Sequence, residues 1–397
     1  MLVIPPSKEV PMEKEEVFRG LHFIHFIFAL TVALPTYIMS TFLTTFAIER
    51  TVGLLYTAGA ILSFILITLI PRMLARFGNY AVAFSLSVAV ALLTLPLAFV
   101  HIPWIVFLSF VSYNALLNVI FFTQDVFIER FSTDARTGSI RGTFLTLTNI
   151  AFLISPFMAG SILTNGDYWK IFSLTTVTIT SVAFLFTLYL RNFKDAEYER
   201  VKIITTLKEI TRRKNVFLIF IVNFLLRFFY AWMVIYSPLY LHNQIGLPWN
   251  EIGIIFTIML VPFVLLALPA GHIADKHVGE KELLFIGFLI AGISTIFIST
   301  IDASAELSRW ILVFAVTRIG ASIIETMSET YFFKHIHPDD THVIGVFRNT
   351  NSLAYIVGPA LASLTLFFLP FSSIFLVLGI ILLVMGLPVT LMLKDTK

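Results

Sequence analysis

The sequence predicts an all-α integral membrane protein with twelve transmembrane helices in two pseudo-symmetric six-helix bundles. Composition is the first reason: 58% of the residues are hydrophobic and 13% are charged, whereas soluble domains are about half apolar and about a quarter charged. The second is that only six of the 51 Asp, Glu, Lys and Arg residues lie within the long apolar segments. The third is a repeat that relates the two halves of the chain at a spacing of about 200 residues.

Twelve apolar segments of 19 to 27 residues follow one another along the chain. At a rise of about 1.5 Å per residue, each is long enough to cross about 30 Å of hydrocarbon as a helix. Backbone groups in lipid must find their hydrogen bonds within the segment, so runs of this length are helices rather than strands. We predict spans at 20–46, 52–71, 79–100, 103–128, 143–164, 171–190, 216–241, 252–273, 283–301, 310–333, 344–368 and 373–393.

The longest polar stretch divides the spans into two sets of six. It contains the sequence TTLKEITRRKN, which we expect to form a short amphipathic helix on the cytoplasmic surface. The predicted organisation is an N-terminal tail, an N-terminal bundle, a central loop, a C-terminal bundle and a C-terminal tail, at 1–19, 20–190, 191–215, 216–393 and 394–397.

The basic residues predict the orientation of the chain. With the N-terminus in the cytoplasm, the tails and the even-numbered loops carry 21 Lys and Arg, and the opposite side carries three, namely Arg50, Lys170 and Arg309. Cytoplasmic loops of membrane proteins are enriched in these residues. We therefore expect a multi-pass protein of the inner or plasma membrane with both termini in the cytoplasm. Because the basic residues are spread over short loops, they do not indicate nucleic-acid binding.

The two halves repeat the same positions. Gly53 corresponds to Gly253 at an offset of 200, and Gly142 and Pro156 correspond to Gly345 and Pro359 at an offset of 203. A parallel repeat of this length is what a duplicated six-helix unit leaves in a sequence.

The loop between spans eight and nine contains a glycine, acid and base pattern: Gly271, Asp275-Lys276 and Gly279. The first-half copy keeps Arg76 and Gly78 but has Pro71 and Ala75 in place of the glycine and the acid. On these motifs the sequence resembles the major facilitator superfamily over nearly its whole length. The resemblance implies secondary transport of a small solute by alternating access, with the two loops acting in gating. Proline kinks suit moving helices, and we therefore add two prolines to the gating residues, Pro156 and Pro359.

Polar residues form one stripe on each of three spans, at helical spacing. The resemblance implies that spans one, four, seven and ten line a central cavity. Spans three, six, nine and twelve, which it makes peripheral, contain no charge. Polar residues lie on span four (Asn114, Asn118, Asp125), span seven (Asn223, Arg227, Tyr230) and span ten (Arg318, Glu325, Glu329).

Ionisable residues within a span are candidates for function. Two arginines near mid-membrane favour a solute with a carboxylate or phosphate, which a guanidinium can hold with two hydrogen bonds. An interior Arg227–Glu325 ion pair without solute contact is the alternative interpretation. We predict solute binding by Asn114, Asn118, Asn223, Arg227, Tyr230 and Arg318, and proton coupling by Glu325, Glu329 and Asp125.

Several alternatives stay open. The 41 phenylalanines favour efflux of amphipathic, drug-like compounds, whereas the arginines favour an anionic or polar metabolite. A non-transporting sensor or scaffold derived from a transporter fold is a further candidate. Short loops argue against an enzyme, and no Walker-type loop is present. We expect no catalytic residues, no metal at His335 and His337, no cofactor and a monomer whose partners are a small-molecule solute, protons and the lipid bilayer.

Overall fold

The computed structural model describes residues 13–131, 137–163, 166–193, 203–276, 278–336, 340–348 and 350–394. All regular structure in these ranges is helical. The α-helices are α1 Glu13–Thr36, α2 Met39–Thr44, α3 Glu49–Phe77, α4 Asn79–Phe99, α5 Pro103–Phe131, α6 Thr137–Ile162, α7 Tyr168–Leu190, α8 Ile203–Arg212, α9 Lys214–Leu239, α10 Trp249–Leu265, α11 Ala267–Lys276, α12 Glu280–Ile298, α13 Leu307–His335, α14 Thr341–Arg348, α15 Thr350–Phe368, α16 Ser373–Ile381 and α17 Leu387–Met392. Single π-helical turns, Tyr240–Gln244 and Leu382–Gly386, follow α9 and α16.

The predicted twelve-span pattern is confirmed. Within the described residues, eleven helical segments are long and apolar enough to cross a membrane, and Trp249–Leu265 is a shorter apolar helix. That helix and α11 together occupy the predicted eighth span. The first and eighth predicted spans are each interrupted near a proline. The twelfth contains a π-helical turn, the seventh ends in one, and the eleventh comprises α14 and α15.

Prolines explain the breaks in the first and eighth spans. Pro269 lies in the first turn of α11, where a missing N–H is tolerated, but it cannot donate to the carbonyl of Leu265, and α10 ends at that residue. Pro35 stands next to the last residue of α1. After it the chain turns at Tyr37 and Ile38 and resumes as α2, with the Phe42 amide donating to Ile38 O at 2.9 Å.

The chain forms two compact units. Unit 1 is drawn from residues 1–47 and 58–201, and unit 2 from 48–57 and 202–397. In unit 1, α4 packs along α7, and α1 packs against both α6 and α7. In unit 2, α13 packs against α12 and α10, and α9 packs against α15.

Glycines bring three helices of unit 2 into close contact. A Cβ atom on Gly320 of α13 would lie 2.5 Å from the Ala291 amide nitrogen and 2.7 Å from the Gly287 carbonyl oxygen, both on α12. A Cβ on Gly379 of α16 would lie 2.6 Å from the carbonyl oxygen of Gly292, also on α12. Since backbone atoms cannot move aside as side chains do, these positions require glycine. We call α12, α13 and α16 the glycine-packed block.

Helix α8 lies within the polar stretch predicted to hold an amphipathic helix. Ile210 is buried and Lys208 is exposed. The helix packs against α9 and α14. Beyond its end, Arg213 pairs with Glu209 at 2.7 Å and with Asp340 at 2.5 Å. The hydrogen bond with Asp340 raises the pKa of Arg213.

Candidate functional site

An ion pair joins two helices of unit 2. Arg227 Nη1 on α9 lies 3.0 Å from Glu325 Oε1 on α13. The Tyr230 hydroxyl, one turn after Arg227, donates a hydrogen bond to the other carboxylate oxygen, Glu325 Oε2, at 3.1 Å. Both oxygens of Glu325 are thus held by α9. The arginine and glutamate side chains are 25% and 30% exposed, so neither is fully buried.

Arg318 lies behind this ion pair. It is only 2% exposed, and its guanidinium carbon lies 5.0 Å from the ring centre of Phe229 and 5.9 Å from that of Tyr230. A guanidinium over an aromatic face is attracted by the ring quadrupole, which is negative at the face of the neutral ring. Tyr230 therefore connects both arginines, because Arg227 also lies 5.6 Å from its ring centre. We call Arg227, Tyr230, Arg318 and Glu325 the charged cluster.

The cluster brings together residues that the sequence predicted for two different roles. Arg227, Tyr230 and Arg318 were predicted to bind solute, and Glu325 to couple protons. The Arg227–Glu325 contact is the ion pair of the alternative interpretation. Its exposure leaves solute contact possible, so the two interpretations are compatible. Glu329, one turn after Glu325, is exposed.

Asn223 lies in helix packing. It is 2% exposed, and its Nδ2 donates to the Phe347 carbonyl on α14 at 3.1 Å. The bond connects α9 to α14. A direct role of Asn223 in solute binding stays a prediction.

Three predicted site residues lie on α5 in unit 1. Asn118 Nδ2 donates to the backbone carbonyl of Asn114 at 3.0 Å. The Asn114 side chain lies beside Gly59 of α3, where an added Cβ would come 3.2 Å from Asn114 Cβ. Asp125 is exposed. The roles of these residues in solute binding and proton coupling stay predictions.

The two predicted gating loops have the same backbone turn. Gly78 and Gly279 adopt φ angles of 79° and 101° and precede α4 and α12. Only glycine adopts such angles without strain. Gly271 differs, since a Cβ there would meet no heavy atom within 4 Å, and its role in gating stays a prediction.

The charged residues of the predicted gating loops are Arg76 in the first half and Asp275 and Lys276 in the second. The Arg76 guanidinium lies 5.2 Å from the ring centre of its neighbour Phe77. The side chains of Asp275 and Lys276 lie outside the described part of the chain. The gating roles of all three residues stay predictions.

Two buried polar residues that the sequence analysis missed follow the turn glycines. Asn79 is fully buried and its Nδ2 donates to the Thr123 carbonyl on α5 at 3.0 Å. Glu280 is 1% exposed and pairs with Lys334 at the end of α13. The two positions are equivalent in the repeat, and each connects the start of one helix to the next. The signal was present in the sequence as a polar residue directly after each glycine.

The predicted kink prolines lie inside helices. Pro156 is within α6 and Pro359 within α15. The Pro359 carbonyl accepts a hydrogen bond from the Tyr236 hydroxyl of α9 at 3.2 Å. Their role in gating stays a prediction.

Comparisons with known proteins agree with this architecture. The model of the Major Facilitator Superfamily matches residues 21–251 and 238–397. No curated protein matches the chain.

Several solved structures have a similar fold. The nucleoside transporter NupG is 14% identical, with a TM-score of 0.75 over 95% of this chain and 99% of that one. A POT family transporter in complex with 5-aminolevulinic acid is 15% identical, with a TM-score of 0.75 over 95% and 96%. A bacterial homologue of the human lysosomal transporter Spinster is 14% identical, with a TM-score of 0.71 over 90% and 83%.

At these identities the neighbours show the fold alone, whereas the family model covers nearly the whole sequence. Eleven apolar helices in the described residues, a shorter twelfth and a duplicated turn before α4 and α12 all agree with that match. The chain therefore belongs to the Major Facilitator Superfamily of membrane transporters.

Proposed function

We propose that this protein is a proton-coupled secondary transporter of a small solute that carries a carboxylate or phosphate group. The observation that supports this is the partly exposed Arg227–Glu325 ion pair, with Tyr230 bonded to the same carboxylate. The solute's anionic group would take the place of Glu325 beside Arg227. Arg318, buried behind Tyr230, adds positive potential at the same place.

Proton binding and solute binding are coupled because Glu325 and the anionic group of the solute compete for the guanidinium of Arg227. While Glu325 is ionised, both its oxygens are occupied by Arg227 and Tyr230. A proton on Glu325 removes its charge and weakens its hold on Arg227, because a bond between charged groups is about twice as strong as a neutral one. Arg227 can then bind the solute anion. Loss of the proton restores the internal pair and expels the solute.

The solute class is tested by thermal stabilisation of the purified full-length protein. A ligand that binds only the folded state at one hundred times its Kd stabilises it by about 2.7 kcal/mol. We expect small carboxylates or phosphorylated metabolites to raise the Tm of the wild type. The Arg227→Gln variant should lose this response. Stabilisation by cationic amphipathic compounds alone, in both proteins, would contradict the proposal.

Coupling is tested with Glu325→Gln in reconstituted vesicles, using the solute that the stabilisation experiment identifies. The amide cannot release a proton, so accumulation driven by a pH gradient should fall to the background level while solute exchange persists. Glu306→Gln, on an exposed loop, serves as a matched control and should accumulate solute normally. Unchanged accumulation by Glu325→Gln would remove this residue from the mechanism.

Efflux of amphipathic compounds is the second candidate, because two further aromatic rings contact the charged cluster. The Phe263 ring centre lies 5.9 Å from that of Tyr230, and the Phe229 ring centre lies 5.0 Å from the guanidinium carbon of Arg318. A sensor or scaffold without transport activity is the third. Solute flux in vesicles separates the third candidate from the first two, and the stabilisation panel separates the first from the second.

A further inference from the structure

A second polar cluster lies in unit 1, and the proposed function does not use it. His25 of α1 is 6% exposed and lies against α5 and α6. Its Nδ1 is 2.7 Å from Gln124 Oε1 on α5, and its Nε2 is 2.8 Å from Thr148 Oγ1 on α6. Both ring nitrogens therefore face a side-chain oxygen. The Phe144 ring packs edge-on against the imidazole at 4.9 Å.

These contacts match a doubly protonated ring. In that form Nδ1–H donates to Gln124 Oε1, and Nε2–H donates to Thr148 Oγ1. The threonine hydroxyl then gives its own hydrogen to the Phe144 carbonyl, which lies 3.1 Å away. Both N–H groups of the ring and the hydroxyl of Thr148 then have an acceptor.

The same side chains hold the neutral ring with either nitrogen protonated. If Nδ1 carries the hydrogen, it donates to Gln124, and the Thr148 hydroxyl turns its hydrogen from Phe144 O to Nε2. If Nε2 carries it, the Gln124 amide rotates by half a turn and donates from its nitrogen to Nδ1. Neither exchange moves the backbone.

The Gln124 amide is able to rotate because no described residue holds its nitrogen by a hydrogen bond. Gln124 is 1% exposed, and its Nε2 has no hydrogen-bond partner among the described residues. The ring alone therefore determines which amide atom faces it. A buried amide with an orphan nitrogen is uncommon, and here it lies against a residue that titrates near neutral pH in water.

We propose that His25 is a proton-binding site of unit 1, which takes up and releases a proton by exchanging hydrogen-bond roles with Gln124 and Thr148. An ionisable group within a span is a functional candidate. The inference concerns α1, α5 and α6 and does not depend on the identity of the solute or on Glu325.

The surroundings of His25 favour release of the proton as well as uptake. Among the described side chains no carboxylate bonds to it. His22, one turn earlier, stacks on the same Phe144 ring at 4.6 Å, and a charge on His22 would repel one on His25. Buried charge without a counter-ion is expensive. On the helices around the cluster, the other ionisable residues whose side chains are described are Arg19 of α1, Tyr113 and Asp125 of α5, and Tyr168, Lys170 and Tyr189 of α7. The side chains of the remaining ones lie outside the described part of the chain: Glu13, Lys14, Glu15, Glu16, Glu129, Arg130 and Arg141.

The test is nitrogen NMR of the full chain, labelled with 15N-histidine and held in lipid nanodiscs. The chemical shifts distinguish the two neutral forms from the doubly protonated ring, and His25→Gln identifies the His25 signals by their loss. If that variant does not fold, the His25 signals are those that shift in Thr148→Val and stay in place in Thr146→Val. Between pH 8 and pH 5 we expect His25 to pass from one ring proton to two. A ring that keeps a single proton over this range would overturn the proposal.

Thr148→Val tests the proposed exchange of hydrogen bonds. The variant removes the acceptor for Nε2–H, so His25 should bind its proton about tenfold more weakly, as loss of a bond to a charged group implies. Thr146→Val is the matched control, because Thr146 is an exposed residue on α6 whose hydroxyl bonds only to Gly142 O, at 2.8 Å. Equal titration of His25 in the two variants would contradict the proposed network.

Discussion

Arg318 is held by stacking on rings as well as by charge. Its planar guanidinium lies over Phe229 and Tyr230, and a lysine ammonium on a flexible stem cannot replace such a plane. We expect Arg318→Lys to lower stability by about 1–2 kcal/mol, measured as a lower Tm of the purified protein. Arg50→Lys is the control, because Arg50 lies over Phe367 at 4.8 Å but is exposed. Equal Tm values for the two variants would contradict a packing role for Arg318.

The Lys334–Glu280 ion pair stabilises a buried carboxylate. Removing Lys334 takes a cation away from a carboxylate that is 1% exposed. Because Lys334 itself is 47% exposed, we expect Lys334→Met to cost about 2 kcal/mol rather than the full value for a buried pair.

The double variant Glu280→Gln with Lys334→Met removes both charges and should recover most of the lost Tm. Lys208→Met, on the exposed face of α8, controls for loss of a surface charge. A double variant less stable than Lys334→Met would contradict this account.

Residue types and helical phase predicted part of the charged cluster. The stripes on spans seven and ten gave Arg227 and Glu325 as a possible pair, because oppositely charged groups within spans seek each other. The same reasoning could not predict that Tyr230 bonds to Glu325 or that Arg318 lies behind it, since both depend on the rotation of α13 against α9. The role proposed for His25 could not be predicted from the sequence, because its partners Gln124 and Thr148 lie on distant parts of the chain.

At the scale of elements, the apolar runs predicted where the helices lie, whereas the prolines did not predict where the helices break. Pro35 and Pro269 end or begin helices, whereas Pro156 and Pro359 lie within continuous ones. A proline disrupts a helix only where neighbouring contacts do not satisfy the freed carbonyl. That depends on packing and cannot be read from periodicity. The π-helical turns, Tyr240–Gln244 and Leu382–Gly386, likewise have no sequence signal.

The glycine-packed block predicts that replacing glycine by alanine lowers the Tm inside the block but not at a glycine with open space around it. Gly320→Ala places a Cβ against the backbone of α12, and overpacking of this kind costs about 1–3 kcal/mol. Gly142→Ala is the control, because a Cβ at Gly142 of α6 meets nothing within 4 Å and alanine favours a helix. Thermal unfolding in detergent should show a lower Tm for the first variant and an unchanged or higher one for the second. The opposite order would show that α12 and α13 are not in backbone contact.

At the scale of the whole molecule, the chain has no cysteine, so each engineered cysteine is the only thiol. We expect Ser304→Cys, in the loop between α12 and α13, to react with an impermeant maleimide in intact cells. Lys208→Cys should react only after the membrane is opened. This pattern follows from the distribution of Lys and Arg. The reverse pattern would place both termini outside the cytoplasm.

The sequence also predicted a division into halves, and the structure has two compact units whose boundary differs in one respect. Residues 48–57, the start of α3, belong to unit 2. A Cβ on Gly53 would lie 2.1 Å from the Tyr236 hydroxyl, and Thr57 Oγ1 donates to Ile356 O at 3.2 Å. The repeat assigns each predicted span to one half of the chain. It cannot predict that the first residues of α3 belong to unit 2 while the rest of this helix belongs to unit 1.

The backbone contacts of the glycine-packed block make α13 a stiff support. Arg318 and Glu325 lie on this helix, whereas Arg227 lies on α9, for which the described residues show no such glycine contact with the block. Any displacement between α9 and the block therefore has to stretch or rotate the Arg227–Glu325 pair. The distance between those two side chains is thus a direct measure of how far α9 has shifted along the block.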